Sequence, residues 1–242
     1  TLMRSSAASD VYKRQVYESG YTINGISIFE SMGKIMDSLL FTTYDQNKIN
    51  ELQDKLNQLS LPIKVVGLAE VDYAPQKSYS EATFLSNARA TAHRLAEFTN
   101  LPTLSESSGL SVDYLLNSLG ILPYHHNGQD DKAKLLGYLG GVSSEKRTAS
   151  YYTTFVFTWP GQESNDIVSA GRISGLIAKY PHGSSNYGYD ALFVVPELGK
   201  TFAEMNLNER NSISHRNNTL NKLLCDLPDW WDAQKSAQAI NN

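Results

Sequence analysis

The chain has 242 residues, 41% hydrophobic and 19% charged, enough to bury a full core as one domain or as two lobes that share one. A formal net charge of -4 and a pI near 5.7 provide no polyanion-binding surface, which argues against DNA or RNA as a main partner. The lone Cys225 cannot close an internal disulfide, and no apolar run approaches the roughly 20 residues that cross a bilayer, so a cytoplasmic protein without membrane association is expected.

Residues 1–37 carry no convincing helix or strand pattern, and the opening TLMRSSAASDVYKRQ reads as a fusion or assembly scar, a non-native or disordered leader. A native start at Met32 or Met36 would put the first strand, Leu39 to Thr43, near the N-terminus. Asp45 can then cap a helix on which Ile49, Leu52, Leu56 and Leu59 share a face. Ile63 to Val66 reads as a second strand, closed by Gly67, and Thr83 caps a helix from Phe84 to about Phe98 with Phe84, Ala88, Ala92, Leu95 and Ala96 at helical spacing. Pro102 to Leu104 leads into a turn made of SESSGL, Ser105 to Leu110.

Thr148 to Trp159 is rich in Thr, Tyr, Phe and Val, stops at Pro160-Gly161 and resumes at Ile167 to Ile173, which predicts a hairpin. Ala191 to Val195 gives another strand, and Ser214 to Leu227 a closing helix in which Cys225 packs into the core among Leu220, Leu223, Leu224 and Leu227. Strands interleaved with helices argue for a mixed α/β sheet. The expected organisation is a domain over 38–228 with a tail over 229–242.

Three motifs close to one another carry the chemistry: NYGYD (Asn186 to Asp190), KTFAE (Lys200 to Glu204) and SISHR (Ser212 to Arg216). Together they read as a purine pocket. Tyr187 offers a flat face for a base, Asp190 an acceptor for ring N–H groups, and His215 with Arg216 donors for an oxygen at purine position 6. Adenine would set its amino donor against those donors, at about 1–3 kcal/mol per unsatisfied group. At the other end, strand, turn and helix over Thr42 to Lys48 would offer free backbone N–H groups, a helix dipole and a lysine to a phosphate. Lys48 by itself reads as a surface lysine.

The order and spacing of these motifs, with SESSGL upstream, resemble the inosine triphosphate pyrophosphatase family from about Leu39 to about Leu227. The resemblance implies hydrolysis of deaminated purine nucleoside triphosphates, such as ITP and XTP, to monophosphate and pyrophosphate. It also implies an elongated mixed β-sheet with flanking helices, two lobes around a central nucleotide cleft, a Mg²⁺ cofactor and a homodimer. Lys48 matches a triphosphate-holding lysine, Tyr187 a stacking Phe, and Arg210 a nucleotide-contacting lysine; Asp190, His215 and Arg216 fall on the base-recognition positions. Thr43 and Ser108 join them as expected substrate contacts.

The acidic positions depart from the pattern. The family's Glu in the second helix aligns with Ser86, and its two adjacent Asp align with Glu106 and Ser107, the expected catalytic pair. A serine can neither accept a proton near neutral pH nor give a metal a formal charge. Glu106 is therefore the expected metal ligand, with Glu81 recruited if its segment folds back toward the cleft. Thr91 stands in place of a lysine, for which Arg89 or Arg94 could substitute; Asp113 also matches, and His125 and His126 read as surface or cap histidines. The alternative is a catalytically impaired nucleotide-binding homologue, its base pocket better preserved than its acids.

Overall fold

The structure, a computed structural model, describes residues 22–23, 26–27, 38–71, 83–115, 121–123, 129–184, 188–206, 209–210 and 213–241. Within the expected leader, β1 (Thr22–Ile23) and β2 (Ile26–Ser27) form a short antiparallel pair. The principal sheet begins at β3 (Ser38–Phe41), whose Leu39, Leu40 and Phe41 are fully buried. A short continuous apolar run of this kind belongs to a strand covered on both faces. β4 (Lys64–Gly67) and β5 (Thr103–Val112) flank β3 in parallel.

The other pairings are antiparallel. β6 (Ile121–Pro123) joins β5 off the main path, while β7 (Thr148–Thr158), β8 (Ile167–Ile177), β9 (Phe193–Val195) and β10 (Lys200–Thr201) extend the sheet in the order β10-β9-β8-β7-β5-β3-β4. The expected hairpin is β7–β8, in register from Thr148 opposite Leu176 to Phe157 opposite Ile167.

Two helices cover one face. On α1 (Gln46–Gln58) Ile49, Leu52 and Leu56 are buried, as their spacing predicts, but Leu59 is 42% exposed because the helix stops at Gln58 and the chain turns through Ser60 at φ 56°. α4 (His215–Asn241) contributes Leu220, Leu223, Leu224, Leu227 and Trp231 to the same cluster. Those positions step by three or four and make one stripe. Cys225 falls outside its phase and is exposed, contrary to the expected core packing. The helix continues through Pro228 to Asn241, beyond its expected end at Leu227, and Trp231 and Gln234 are buried. Edge-on contacts of Trp231 with Trp159 (5.0 Å) and of Trp230 with Phe157 (5.0 Å) fix it to the sheet.

α2 (Phe84–Thr99) covers the opposite face, where Ala88 and Ala92 meet Val156 and Leu95 meets Leu40 and Val66. α3 (Gln129–Tyr138) supplies Leu135 to a second cluster with Leu110, Val112, Tyr151, Phe193 and Phe202.

SESSGL is no turn. All six residues lie in β5, which pairs with β7 from Thr103 opposite Thr158 to Val112 opposite Ala149. This long ladder overrides the turn preference of Ser and Gly. Its alternation makes the cleft. On one face of β5, Leu104 belongs to the first cluster and Leu110 and Val112 to the second, with Glu106 and Ser108 between them. β7 repeats the pattern, with Phe157 and Phe155 in the first cluster, Tyr151 and Ala149 in the second and Thr153 between. This polar break in a continuous apolar row separates two lobes and forms the floor of the cleft.

Candidate active site

Two helix starts converge on that floor. Asp45 caps α1, its side chain accepting from Asn47 N at 2.9 Å, which places Lys48 in the first turn. Ser214 does the same for α4: its Oγ accepts from Asn217 N at 3.1 Å, so His215 and Arg216 open the helix. Ser86 closes a capping box with Thr83 on α2.

Lys48, Glu106, Ser108, Asp190, Arg210, His215 and Arg216 line one cleft of about 380 Å³, together with Tyr151, Tyr152, Thr153, Phe202 and Ser214. Glu106 is its most heavily partnered group. Arg216 grips the carboxylate with both arms, Nε to Oε1 at 3.0 Å and Nη2 to Oε2 at 3.1 Å, while Lys48 Nζ lies 3.1 Å from Oε2 and Ser108 Oγ donates to Oε1 at 2.9 Å. The same guanidinium donates from Nη1 to Glu51 Oε2 at 2.6 Å and lies 5.6 Å over the Phe155 ring. Burial alone would raise the pKa of Glu106, but Arg216 and Lys48 outweigh it and hold the carboxyl below its usual range. Burial likewise opposes the charge on Arg216, and Glu106 with Glu51 reverse that effect and raise its pKa.

At the other end Asp190 is fully buried and Arg210 Nη1 stands 2.8 Å from its Oδ2, with the guanidinium 5.4 Å over the Phe202 ring. The KTFAE motif supports this pair: Glu204 accepts from Thr201 N at 2.8 Å to cap a short 3-10 turn over Phe202–Glu204, and Ala203 N donates to the Asp190 carbonyl at 3.2 Å. Gly183, at φ +88°, lies so close that a Cβ there would collide with the backbone of Ala203. His215 sits between the ends, stacked on Tyr151 at 6.2 Å, with Nε2 3.2 Å from Thr153 Oγ1. Burial pushes its pKa down to about 4, beyond what neighbouring Glu106 restores, so the ring is neutral at pH 7.

Seven of the expected residues thus come together, and Lys48 is an ion-pair partner rather than a surface lysine. Two of the described residues, Thr43 and Ser107, do not join them. Thr43 serves the turn, its Oγ1 accepting from Asp45 N at 3.1 Å. Ser107 pairs across the ladder with Thr154, on the α2 face, because adjacent strand residues point to opposite sides. Tyr187 and Glu81 lie outside the described residues, as do His125 and His126. Arg89 is held at the β7–β8 connection, its Nε 3.3 Å from Asp166 Oδ2, and Arg94 does not line the cleft. Asp113 is exposed.

Sequence reading missed Glu51, Thr153, Tyr151 and Phe202. The signal for Thr153 was a polar residue at an inward position between Tyr151 and Phe155. Among the described residues no group of three or more His, Cys, Asp or Glu gathers, and both oxygens of Glu106 already face cations. These side chains do not fit a resident divalent metal.

The Ham1 family model matches residues 39–225. Among curated proteins, the dITP/XTP pyrophosphatase of Lactobacillus johnsonii is 46% identical over 201 residues, covering 81% of this chain and 97% of the relative. That of Bacillus subtilis is 32% identical, with 78% and 96% covered. Among solved structures, a HAM1 protein from Coxiella burnetii superposes with a TM-score of 0.71 at 27% identity, covering 79% of this chain and 98% of the other. The nucleoside-triphosphatase, or dITP/XTP pyrophosphatase, of Mycobacterium abscessus gives 0.68 at 29%, with 77% and 97% covered. The resemblance read from the C-terminal motifs therefore holds, and the chain belongs to the Ham1 family.

Proposed function

We propose that the protein hydrolyses 6-oxo purine nucleoside triphosphates such as ITP, dITP and XTP to the monophosphate and pyrophosphate. The observation that carries this is the single cleft in which a buried acid–arginine pair at one end, Asp190 with Arg210, faces a cation-rich end built from Lys48 and Arg216 around Glu106. The likeness to curated dITP/XTP pyrophosphatases supports the same reading.

In this proposal the base lies toward Asp190 and Arg210, with the Tyr187 ring as its stacking face and Asp190 accepting from a ring N–H. The phosphates run toward Lys48 and compete with Glu106 for it, since both offer anionic oxygens to the same ammonium. Water attacks the α-phosphorus, the bond to the α–β bridging oxygen breaks, and pyrophosphate leaves. Glu106, held ionised and released from Lys48 by the incoming phosphates, lies at that end and takes the proton from water. Ser107, on the far face, takes no part in this step. Mg²⁺ belongs to the proposal as a counter-ion carried in on the phosphates, because the described acids offer it no resident site. Glu81 is proposed as a ligand only if its segment reaches the cleft. The homodimer and the cytoplasmic location are likewise proposed, and sedimentation checks the former.

The deciding experiment incubates the protein with ITP, XTP, GTP and ATP in Mg²⁺ and measures pyrophosphate. Release from the first two well above ATP supports the reading, and equal background release from all four overturns it. The serines at positions 86 and 107 raise a second reading, a nucleotide-binding relative without turnover, which the likeness to curated dITP/XTP pyrophosphatases does not favour. That reading predicts saturable binding of inosine nucleotides with no pyrophosphate.

A further inference from the structure

Three hydrogen bonds run from the Glu106 end of the cleft to His215 at its middle. Ser108 Oγ donates to Glu106 Oε1 at 2.9 Å, Ser108 Oγ and Thr153 Oγ1 are 3.0 Å apart, and Thr153 Oγ1 is 3.2 Å from His215 Nε2. Distance alone leaves the direction of the last two open, but valence closes it. An ionised carboxylate only accepts, and a hydroxyl has one hydrogen to donate. The hydrogen of Ser108 goes to Glu106, so between the two hydroxyls Thr153 must be the donor. The hydrogen of Thr153 is then engaged, so it must accept from His215. Glu106 is fixed as the acceptor-only end because Arg216 grips it bidentately and Lys48 adds a second cation.

We propose that Thr153 is a positioning residue whose hydroxyl, relayed through Ser108 to the Glu106 carboxylate, holds His215 in the Nε2–H tautomer. The neutral ring then carries its lone pair at Nδ1. His215 therefore offers a nucleotide an acceptor, suited to a ring N–H, and has no second proton for a 6-oxygen. That oxygen falls instead to an arginine, a side chain that only donates, and Arg210 stands at the Asp190 end where the base is proposed to lie. This corrects the expectation that His215 and Arg216 both act as donors. It also couples the two ends, because the tautomer that meets the base is set by the acid that meets the phosphates.

The inference draws on the proposed nucleotide chemistry only for its activity measurement; the tautomer is a property of the nucleotide-free protein. Long-range ¹H–¹⁵N spectra of ¹⁵N-labelled protein at neutral pH, with His215 assigned by the signals lost in His215→Gln, should show a protonated Nε2 and a bare Nδ1. Thr153→Ser should keep that pattern. Thr153→Val, which removes the hydroxyl at nearly constant shape, should yield a mixture of tautomers and lower kcat/KM for ITP by about 10-fold, the equivalent of one hydrogen bond. Thr153→Ser should restore it to within about 2-fold. A wild-type ring protonated on Nδ1, or an unchanged tautomer in Thr153→Val, overturns the relay; should the valine variant fail to fold, the wild-type spectrum decides alone. The expected spectra without pyrophosphate release from any nucleotide would support the relay and sink the hydrolysis reading instead.

Discussion

The two faces of β5 differ sharply in how their polar groups are engaged. On the side of α1 and α4, Glu106 and Ser108 are enclosed by Lys48, Arg216, Thr153 and His215, and every link is a short hydrogen bond or ion pair. On the side of α2, Ser107 faces the sheet's other layer, and the Ser86 hydroxyl is engaged in capping its own helix. The resemblance places two adjacent acids on this strand, and alternation assigns one to each face. Only the acid on the α4 side remains. The site has therefore kept a self-neutralising cation cluster on one face, with hydroxyls where acids were expected on the other.

That contrast can be tested by breaking each side. Glu106→Leu leaves Lys48 and Arg216 facing a buried apolar group, and urea denaturation should show a loss of about 3–5 kcal/mol, as for a buried pair stripped of one partner. Glu106→Gln, which keeps shape and acceptor, should lose less. Acid should act on the same face. His215 has a folded pKa near 4 against 6.5 for the free ring, so between those values the unfolded chain binds the extra proton and stability falls as the pH falls. The loss should approach about 3 kcal/mol by pH 4 and be absent from His215→Gln. Glu106, with a lowered pKa, adds to it: its contribution is complete above the ordinary carboxyl value of 4.5 and disappears as the pH drops through the folded value. Urea midpoints at several pH values check both signs.

On the α2 face, Ser107→Asp should leave pyrophosphate release from ITP unchanged, because position 107 points away from the cleft; a rise of about 100-fold, the scale of a general base, would show that the missing acid limits turnover. An unchanged rate would show that the chemistry runs wholly from the α4 side. The smallest effect is expected at Cys225→Ser, within about 0.5 kcal/mol of wild type by thermal unfolding, because the thiol is exposed.

What could be read from the sequence follows from the range of the forces involved. α1 and α2 were legible because Ile49, Leu52 and Leu56, or Ala88, Ala92 and Leu95, recur with the period of the helix. The β7–β8 hairpin was legible from β-branched and aromatic runs that stop at Pro160-Gly161. SESSGL misled because serine and glycine favour turns locally, whereas its extended shape comes from a strand some fifty residues later. Cys225 misled because in a leucine-rich helix only the phase separates inside from outside. Glu51 left no local trace, since it meets its partner on α4 far along the chain, and Thr153 left only its polar place in an inward apolar row. The motif residues were found individually, but their pairing with one another, Lys48 to Glu106 and Arg210 to Asp190, is a product of the fold.

Gly183 makes the Asp190–Arg210 end of the cleft dependent on a missing atom. Any side chain at that position would wedge itself under Ala203 and lift the strap that Ala203 N fastens to the carbonyl of Asp190. The carboxylate opposite Arg210 would then shift with its own backbone, although neither residue had been altered. A change several residues away from either charged group would thus disturb the ion pair while leaving both of its side chains unaltered.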